Sequence, residues 1–288
     1  MSGDKVAGFD IVLIGRGVRD VAHMTLESLE ALKKCKRGFV VSPAQEAVDA
    51  FREALLQKVK ESESLPPLVS LSAAYQKDRL RLTNYSDAAQ AVLDAAKSDP
   101  PVAYLTPGNP VIYDTVTHVI LKGARASGLR TKVLPSVSFI DTMLVDLEEE
   151  PAPGLQIYEA SWVVGAQVRP DTRFACMLVQ ISLFCTNFPV VDRMPETAAM
   201  RRLRDHLLKF YPSDHVIVIV RSGSGWSGLP TIQPLALGAL DNVRGEIQLG
   251  ASLYIPPLSI ATFDDEFAAM MSSVDNLNAL YPERNKSC

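Results

Sequence analysis

The run Ala103-Tyr104-Leu105-Thr106-Pro107-Gly108-Asn109-Pro110-Val111-Ile112-Tyr113-Asp114 decides how this 288-residue chain folds. Residues 102–105 are apolar, read as a buried strand and stop at a Pro-Gly turn. A helical pattern follows over residues 111–127, with Val111, Val116, Val119 and Ile120 on its apolar face. Pro110 suits the first turn of such a helix, where a missing N–H costs nothing. Gly108 has no Cβ to keep a ligand away from the backbone. In open α/β sheets, ligands bind at loops of this kind, beyond the carboxyl ends of the strands.

The rest of the first half repeats the same unit. Residues 9–14, 38–41, 68–71, 102–105 and 131–134 read as strands, and residues 25–36, 84–97 and 111–127 as helices. Ser42, with Pro43 next and Gln45 at the third position, suggests a capping box opening a helix with Val48, Phe51, Leu55 and Val59 on one face. Strands alternating with helices imply parallel pairing and helical crossovers. The second half differs. Residues 155–164, 173–184, 215–221 and 252–255 are β-rich, separated by one amphipathic helix over 196–210 with Met200, Leu203 and Leu207 inward. The expected organisation is a parallel-sheet α/β domain over 1–135 and an α+β domain over 136–258. A polar tail follows over 259–288, with a helix at 264–271.

Composition narrows the function classes. A net charge of -4 disfavours nucleic-acid and anionic-membrane partners. The residues after Met1 lack the basic and long apolar regions of a signal peptide, and no apolar run approaches a membrane span. Cys35, Cys176, Cys185 and Cys288 show neither CxxC nor zinc spacing, which suits free thiols in a reducing, cytoplasmic setting. The four histidines have no metal spacing, so no metal site is expected. His215 is expected to make a structural hydrogen bond.

Gly15-Arg16-Gly17-Val18-Arg19-Asp20 follows the first strand but is not a dinucleotide fingerprint. Asp20 stands where the third glycine belongs, and the second strand ends Phe39-Val40-Val41-Ser42 with no acidic residue. A tight turn explains these glycines better.

Taken together, these motifs resemble the tetrapyrrole methylase superfamily of S-adenosylmethionine (SAM) dependent methyltransferases. Ile14-Gly15-Arg16-Gly17 looks like its N-terminal glycine loop, Gly108-Asn109-Pro110 like its SAM-binding Gly-x-Pro loop, and Leu134-Pro135-Ser136-Val137-Ser138 like its Pro-Gly-x-Ser turn. Within that superfamily the likeness is greatest to the borosin peptide backbone N-methyltransferases. It is carried by Tyr158-Glu159-Ala160-Ser161, Val179-Gln180-Ile181, Tyr211-Pro212-Ser213-Asp214-His215 and Leu253-Tyr254-Ile255-Pro256-Pro257, and runs over residues 9–258. The resemblance implies a two-domain fold with a SAM cleft between the domains. The cleft would be walled by Pro107, Gly108, Asn109, Pro110, Val111, Ile112, Tyr113, Ser136, Val137, Ser138, Phe139, Ala160, Ser161 and Gln180. It also implies S-adenosylhomocysteine as product, and a homodimer.

The borosin branch carries a Tyr/Arg/Tyr set that Tyr75, Arg81 and Tyr85 match here. An amide nitrogen is a poor nucleophile while its lone pair is delocalised into the carbonyl. Methylating it requires donors to the carbonyl oxygen as charge develops and a route for the proton. Arg81 is a permanent cation, a tyrosine can donate or accept, and residues four apart share a helix face. Tyr75 and Tyr85 also read as core-edge aromatics, and residues 77–81 as a solvated segment. Gln180 in an apolar strand needs a polar partner, either in the core or at the SAM end of the cleft.

Two positions depart from the family pattern: Ser136 replaces a glycine that would tolerate positive φ, and Asn109 stands where the branch has histidine. Fused borosin enzymes carry their substrate as a C-terminal extension, and residues 259–288 are too short and polar to supply one. The expected activity is therefore α-N-methylation of a separate precursor peptide. Two alternatives remain open: methylation of a tetrapyrrole-like or other small metabolite, and a catalytically idle SAM-fold binding partner.

Overall fold

The computed structural model describes residues 8–60, 62–190, 193–223, 228–243, 247–259 and 262–282. Two five-stranded sheets organise it. The first contains β1 (Ile11–Gly15), β2 (Arg37–Val40), β3 (Leu68–Ser70), β4 (Val102–Thr106) and β5 (Thr131–Leu134) in the order β3-β2-β4-β1-β5. Every pairing is parallel, with Ile11 opposite both Val102 and Thr131. All five residues of β1, and all five of β4, are buried. That is expected of central strands covered on both faces, and it explains why they lack an apolar/polar alternation. One face packs on α1 (Leu26–Lys33) and α2 (Gln45–Leu56), the other on α3 (Arg81–Ser98) and α4 (Thr115–Ala126).

The second sheet has the order β6-β7-β10-β8-β9, built from β6 (Leu155–Glu159), β7 (Ala175–Val179), β8 (Val216–Arg221), β9 (Thr231–Ala236) and β10 (Ser252–Ile255). Only β6 and β7 run parallel; the other pairings are antiparallel. α6 (Ala160–Gly165) and α7 (Thr197–Leu207) cover one face, with Met200, Leu203 and Leu207 in its core. α5 (Phe139–Leu147) places Met143 against the other, beside Met177, Val220 and Tyr254. α8 (Asp265–Met271) and α9 (Val274–Leu280) follow, with no buried residue in either.

Several local expectations need correction. The capping box at Ser42 does not form: Ala44 precedes α2 without a side-chain cap. The Gln45 amide instead reaches across to β3, donating to the Leu68 carbonyl at 3.0 Å and accepting from the Ser70 N–H at 2.8 Å. α4 begins at Thr115, not at residue 111, because Asp114 caps it by accepting from the N–H groups of Val116 and Thr117. Residues 107–113 thereby stay free as a loop, and Pro110 lies outside the helix. Gln180 follows β7 and sits in left-handed conformation at φ 59°, opening a 3-10 turn over Ile181–Leu183. α5, with a capping box of Ser138 and Asp141, and the edge strand β9 had no sequence expectation.

Candidate active site

Three loops from the first sheet converge at one edge. Gly17 and Gly108 pair backbone to backbone, Gly108 N–H to Gly17 O at 2.9 Å and Gly17 N–H to Gly108 O at 3.2 Å. A Cβ on Gly15 would stand 2.5 Å from the Gly108 carbonyl and 2.8 Å from Ser136 Cβ, so only glycine allows this packing. Ser136 adopts no positive φ, and its hydroxyl donates to the His23 carbonyl at 2.7 Å. The serine therefore stitches the first loop to the turn after β5 without strain. Gly108 itself has φ 69°, with nothing within 4 Å of where a side chain would be.

Beside these loops lies a cavity of about 1070 Å³ bounded by both halves of the chain. Tyr75, Arg81 and Tyr85 all line it, as do Pro107, Ile112, Tyr113, Phe139, Ser161 and Gln180. The other residues expected in its wall are placed differently. Gly108 and Pro110 build the loop junction behind it, and the Asn109 side chain accepts from the Val111 N–H within the turn. Val111 faces a smaller open pocket of about 420 Å³ shared with His118 and Ile157. Ser136 and Val137 belong to the turn after β5, Ser138 caps α5, and Ala160 is fully buried in the second core.

Arg81 opens α3 and is tied to the opposite wall twice. Its backbone N–H donates to the Asn187 carbonyl and its guanidinium Nη2 to the Thr186 carbonyl, both at 2.7 Å. Arg81 and Tyr85 sit one turn apart on α3, and the Tyr75 and Tyr85 rings meet edge to face with centroids 6.1 Å apart. Burial, then Tyr85 and Asp114, push the Tyr75 phenol well above its usual value. Tyr75 is thus a hydrogen-bond donor at neutral pH, not an ionised base.

Two further acids in the lining were not singled out from the sequence. Asp114 is held by its capping bonds and accepts from the Tyr104 hydroxyl at 3.0 Å. Glu159 ends β6, caps α6 through the Trp162 N–H at 2.7 Å, and raises the nearby Tyr113 phenol beyond the effect of burial. Asp114 closes the opening motif, so its position at a strand-loop-helix junction was the available signal. Among the described lining residues, Arg81 is the single cation and Asp114 and Glu159 the two carboxylates. No cluster of three or more metal-ligating side chains occurs among the described residues, and no described helix is long and apolar enough to cross a membrane. His215 makes its structural bond, to the Pro256 carbonyl at 3.0 Å.

Residues 10–225 match the family model for Tetrapyrrole (Corrin/Porphyrin) Methylases. The chain is 28% identical over 265 residues to the methyltransferase/ribosomally synthesized type II borosin cyclic peptide precursor of Phlebiopsis gigantea, covering 90% of this chain and 45% of that protein. It is likewise 28% identical over 262 residues to the methyltransferase/ribosomally synthesized cyclic peptide gymnopeptides precursor of Gymnopus fusipes, covering 89% and 59%. The chain thus spans about half the length of these curated relatives. Its fold is similar to that of diphthine synthase, with a TM-score of 0.59 at 15% identity over 87% of this chain and 91% of that one. It is also similar to uroporphyrin-III C-methyltransferase from Thermus thermophilus complexed with S-adenosylhomocysteine, with a TM-score of 0.53 at 15% identity over 85% and 96%.

Proposed function

This chain belongs to the tetrapyrrole methylase family, and we propose that it is a SAM-dependent methyltransferase acting on backbone amide nitrogens of a peptide. The observation that carries this reading is the convergence of Tyr75, Arg81 and Tyr85 on one cavity, at the edge where the glycine loops meet. The residues present suit a nucleoside sulfonium, because two carboxylates stand in the lining against one cation and favour a positively charged ligand. Pro107, Ile112, Tyr113, Phe139, Ser161 and Gln180 would hold it. When bound, SAM supplies an electrophilic methyl group.

The chain's own residues do the rest. Arg81 and Tyr85 donate to the amide oxygen as negative charge grows there, which localises the lone pair on nitrogen. The planar guanidinium has donors to spare beyond its bond to Thr186. Tyr75 stands beside Tyr85 as a neutral phenol near the nitrogen. Leu80 and Leu82 flank Arg81 and are exposed, giving the peptide an apolar approach. Holding both reactants in line supplies much of the rate.

The peptide is proposed to be a separate molecule, which methylation of a peptide added in trans tests. Two copies pair, a view supported by the exposed Phe267, Met271, Val274 and Leu277 on α8 and α9. The enzyme works in the cytoplasm, in keeping with free Cys35, Cys176 and Cys185. Titration calorimetry with SAM and S-adenosylhomocysteine tests the cofactor. Heat with both supports the reading, and no heat with either contradicts it. Light scattering tests the pairing, which a monomer at micromolar concentration would refute.

A further inference from the structure

We propose that Asp114, reached through Tyr104, is the terminal proton acceptor for the amide proton displaced during methyl transfer. The proposal rests on the peptide-amide reading above. Tyr75, Tyr104 and Asp114 all line the same cavity, yet Tyr104 belongs to β4 and is fully buried. Burying a phenol at the centre of a sheet requires a partner for its hydroxyl. Here the partner is a carboxylate that itself faces the cavity.

The two oxygens of Asp114 are engaged differently. Oδ1 accepts from the Val116 and Thr117 N–H groups and so caps α4. Oδ2 accepts from the Thr117 hydroxyl and from Tyr104, each at 3.0 Å. A proton moving along the Tyr104 bond therefore reaches the oxygen that does not hold the helix. No direct hydrogen bond joins the Tyr75 and Tyr104 hydroxyls, and a water in the cavity they share carries the proton between them. The other titratable or charged groups sharing this cavity are Arg81 and Tyr85 of α3, Tyr113, Glu159 at the end of β6 and Cys185.

The balance is as follows. The amide nitrogen forms a bond to the methyl carbon, the carbon–sulfur bond breaks, and its electron pair stays on sulfur. The amide proton passes to the Tyr75 oxygen, the Tyr75 proton by way of that water to Tyr104, and the Tyr104 proton to Asp114 Oδ2. Both tyrosines end neutral, and the carboxylate ends protonated. A neutral Tyr75 can take the amide proton only by giving up its own, which is why a relay is needed.

Asp114→Asn tests this while keeping an equally good helix cap. With a synthetic peptide of valine, isoleucine and glycine as probe, the single-turnover methylation rate should fall by about 10²-fold, in the range of a lost general base. Affinity for S-adenosylhomocysteine should be unchanged. Tyr104→Phe should slow turnover in the same way, and Asp114→Glu should recover part of the rate. A second arm needs no turnover. Asp114→Asn should move the ring carbon resonances of both Tyr104 and Tyr75 in the ligand-free protein. If Tyr75 is unmoved, or if Asp114→Asn turns over at the parent rate, the relay is wrong. A parent enzyme that binds the methyl donor but leaves the peptide unmethylated overturns the peptide-amide reading instead.

Discussion

The first sheet has five parallel strands, two of them buried at every position, whereas the second has one parallel pair and three antiparallel ones. Each encloses its own core: Val12, Leu32 and Leu105 on one side of the cleft, Leu178, Leu203 and Leu253 on the other. The parallel sheet presents all its carboxyl-end loops at one edge, and so delivers the glycine turns to the cleft. The second sheet adds its own wall through the turn after β7 and the start of β10. The difference teaches that one half brings backbone to the cleft by topology, and the other by local irregularities at strand ends.

The largest expected effect tests whether the two cores are separable. Leu203 is fully buried in the second core, so Leu203→Ala should cost about 2–5 kcal/mol. Both tryptophans, Trp162 and Trp226, belong to the second half. Their fluorescence transition in urea should therefore move to lower denaturant ahead of part of the helical signal. A single coincident transition would show that the halves unfold as one unit.

Next in size are the residues that join the walls. Arg81→Lys keeps the charge but loses the planar donor fork, and Tyr85→Phe keeps the ring but loses the hydroxyl. Each should slow single-turnover methylation by about 10²-fold or more, with cofactor affinity little changed. If both variants turned over at the parent rate, Arg81 would be only a strap between the halves. At the loop junction, a methyl at Gly15 would press on the Gly108 carbonyl, and Gly15→Ala should cost about 1–3 kcal/mol. Calorimetry should show weaker cofactor binding as well. Gly108→Ala meets no atoms, so its cost comes from the φ of 69° alone, and it should be the milder of the two.

Thiol chemistry and acid stability bring out the smallest differences. Burial pushes Cys35 and Cys176 up to about 12, while Cys185 is exposed in the cleft wall. In a Cys288→Ser background, a disulfide reagent near neutral pH should label one thiol quickly, and a bound cofactor should slow it. Asp10 is held below the usual carboxylate range by the backbone and guanidinium of Arg130, which ties the starts of β1 and β5. Its folded value is depressed, so its stabilisation is present above the ordinary carboxylate range and is lost as the pH falls through the folded value. Asp10→Asn should lower stability by less than about 1 kcal/mol at neutral pH, with the gap closing in acid.

The contrast between the halves also explains what could be read from sequence. Parallel strands buried on both faces are continuous apolar runs bounded by turns, so β1, β4 and their helices stand out. Helix starts were less legible where a loop intervenes: Val111 fits the stripe of α4, but the Asp114 cap sets the boundary four residues later. β9 was hidden because Pro234 and its half-exposed residues carry no core pattern, as befits an edge strand. At the site, Tyr75, Arg81 and Tyr85 could be matched through a motif. Asp114 and Glu159 could not, since each is also an ordinary helix cap and becomes a cavity acid only once two sheets meet.

The central claim is that this cleft transfers methyl groups to peptide backbone nitrogen. Its most direct measurement is fragmentation mass spectrometry of a valine- and isoleucine-rich peptide incubated with the protein and SAM. The account predicts mass added in steps of one methyl group, localised to amide nitrogens and added far more slowly by Arg81→Lys. Methyl groups found only on side chains or termini, or a peptide left unmodified by a protein that binds SAM, would contradict it.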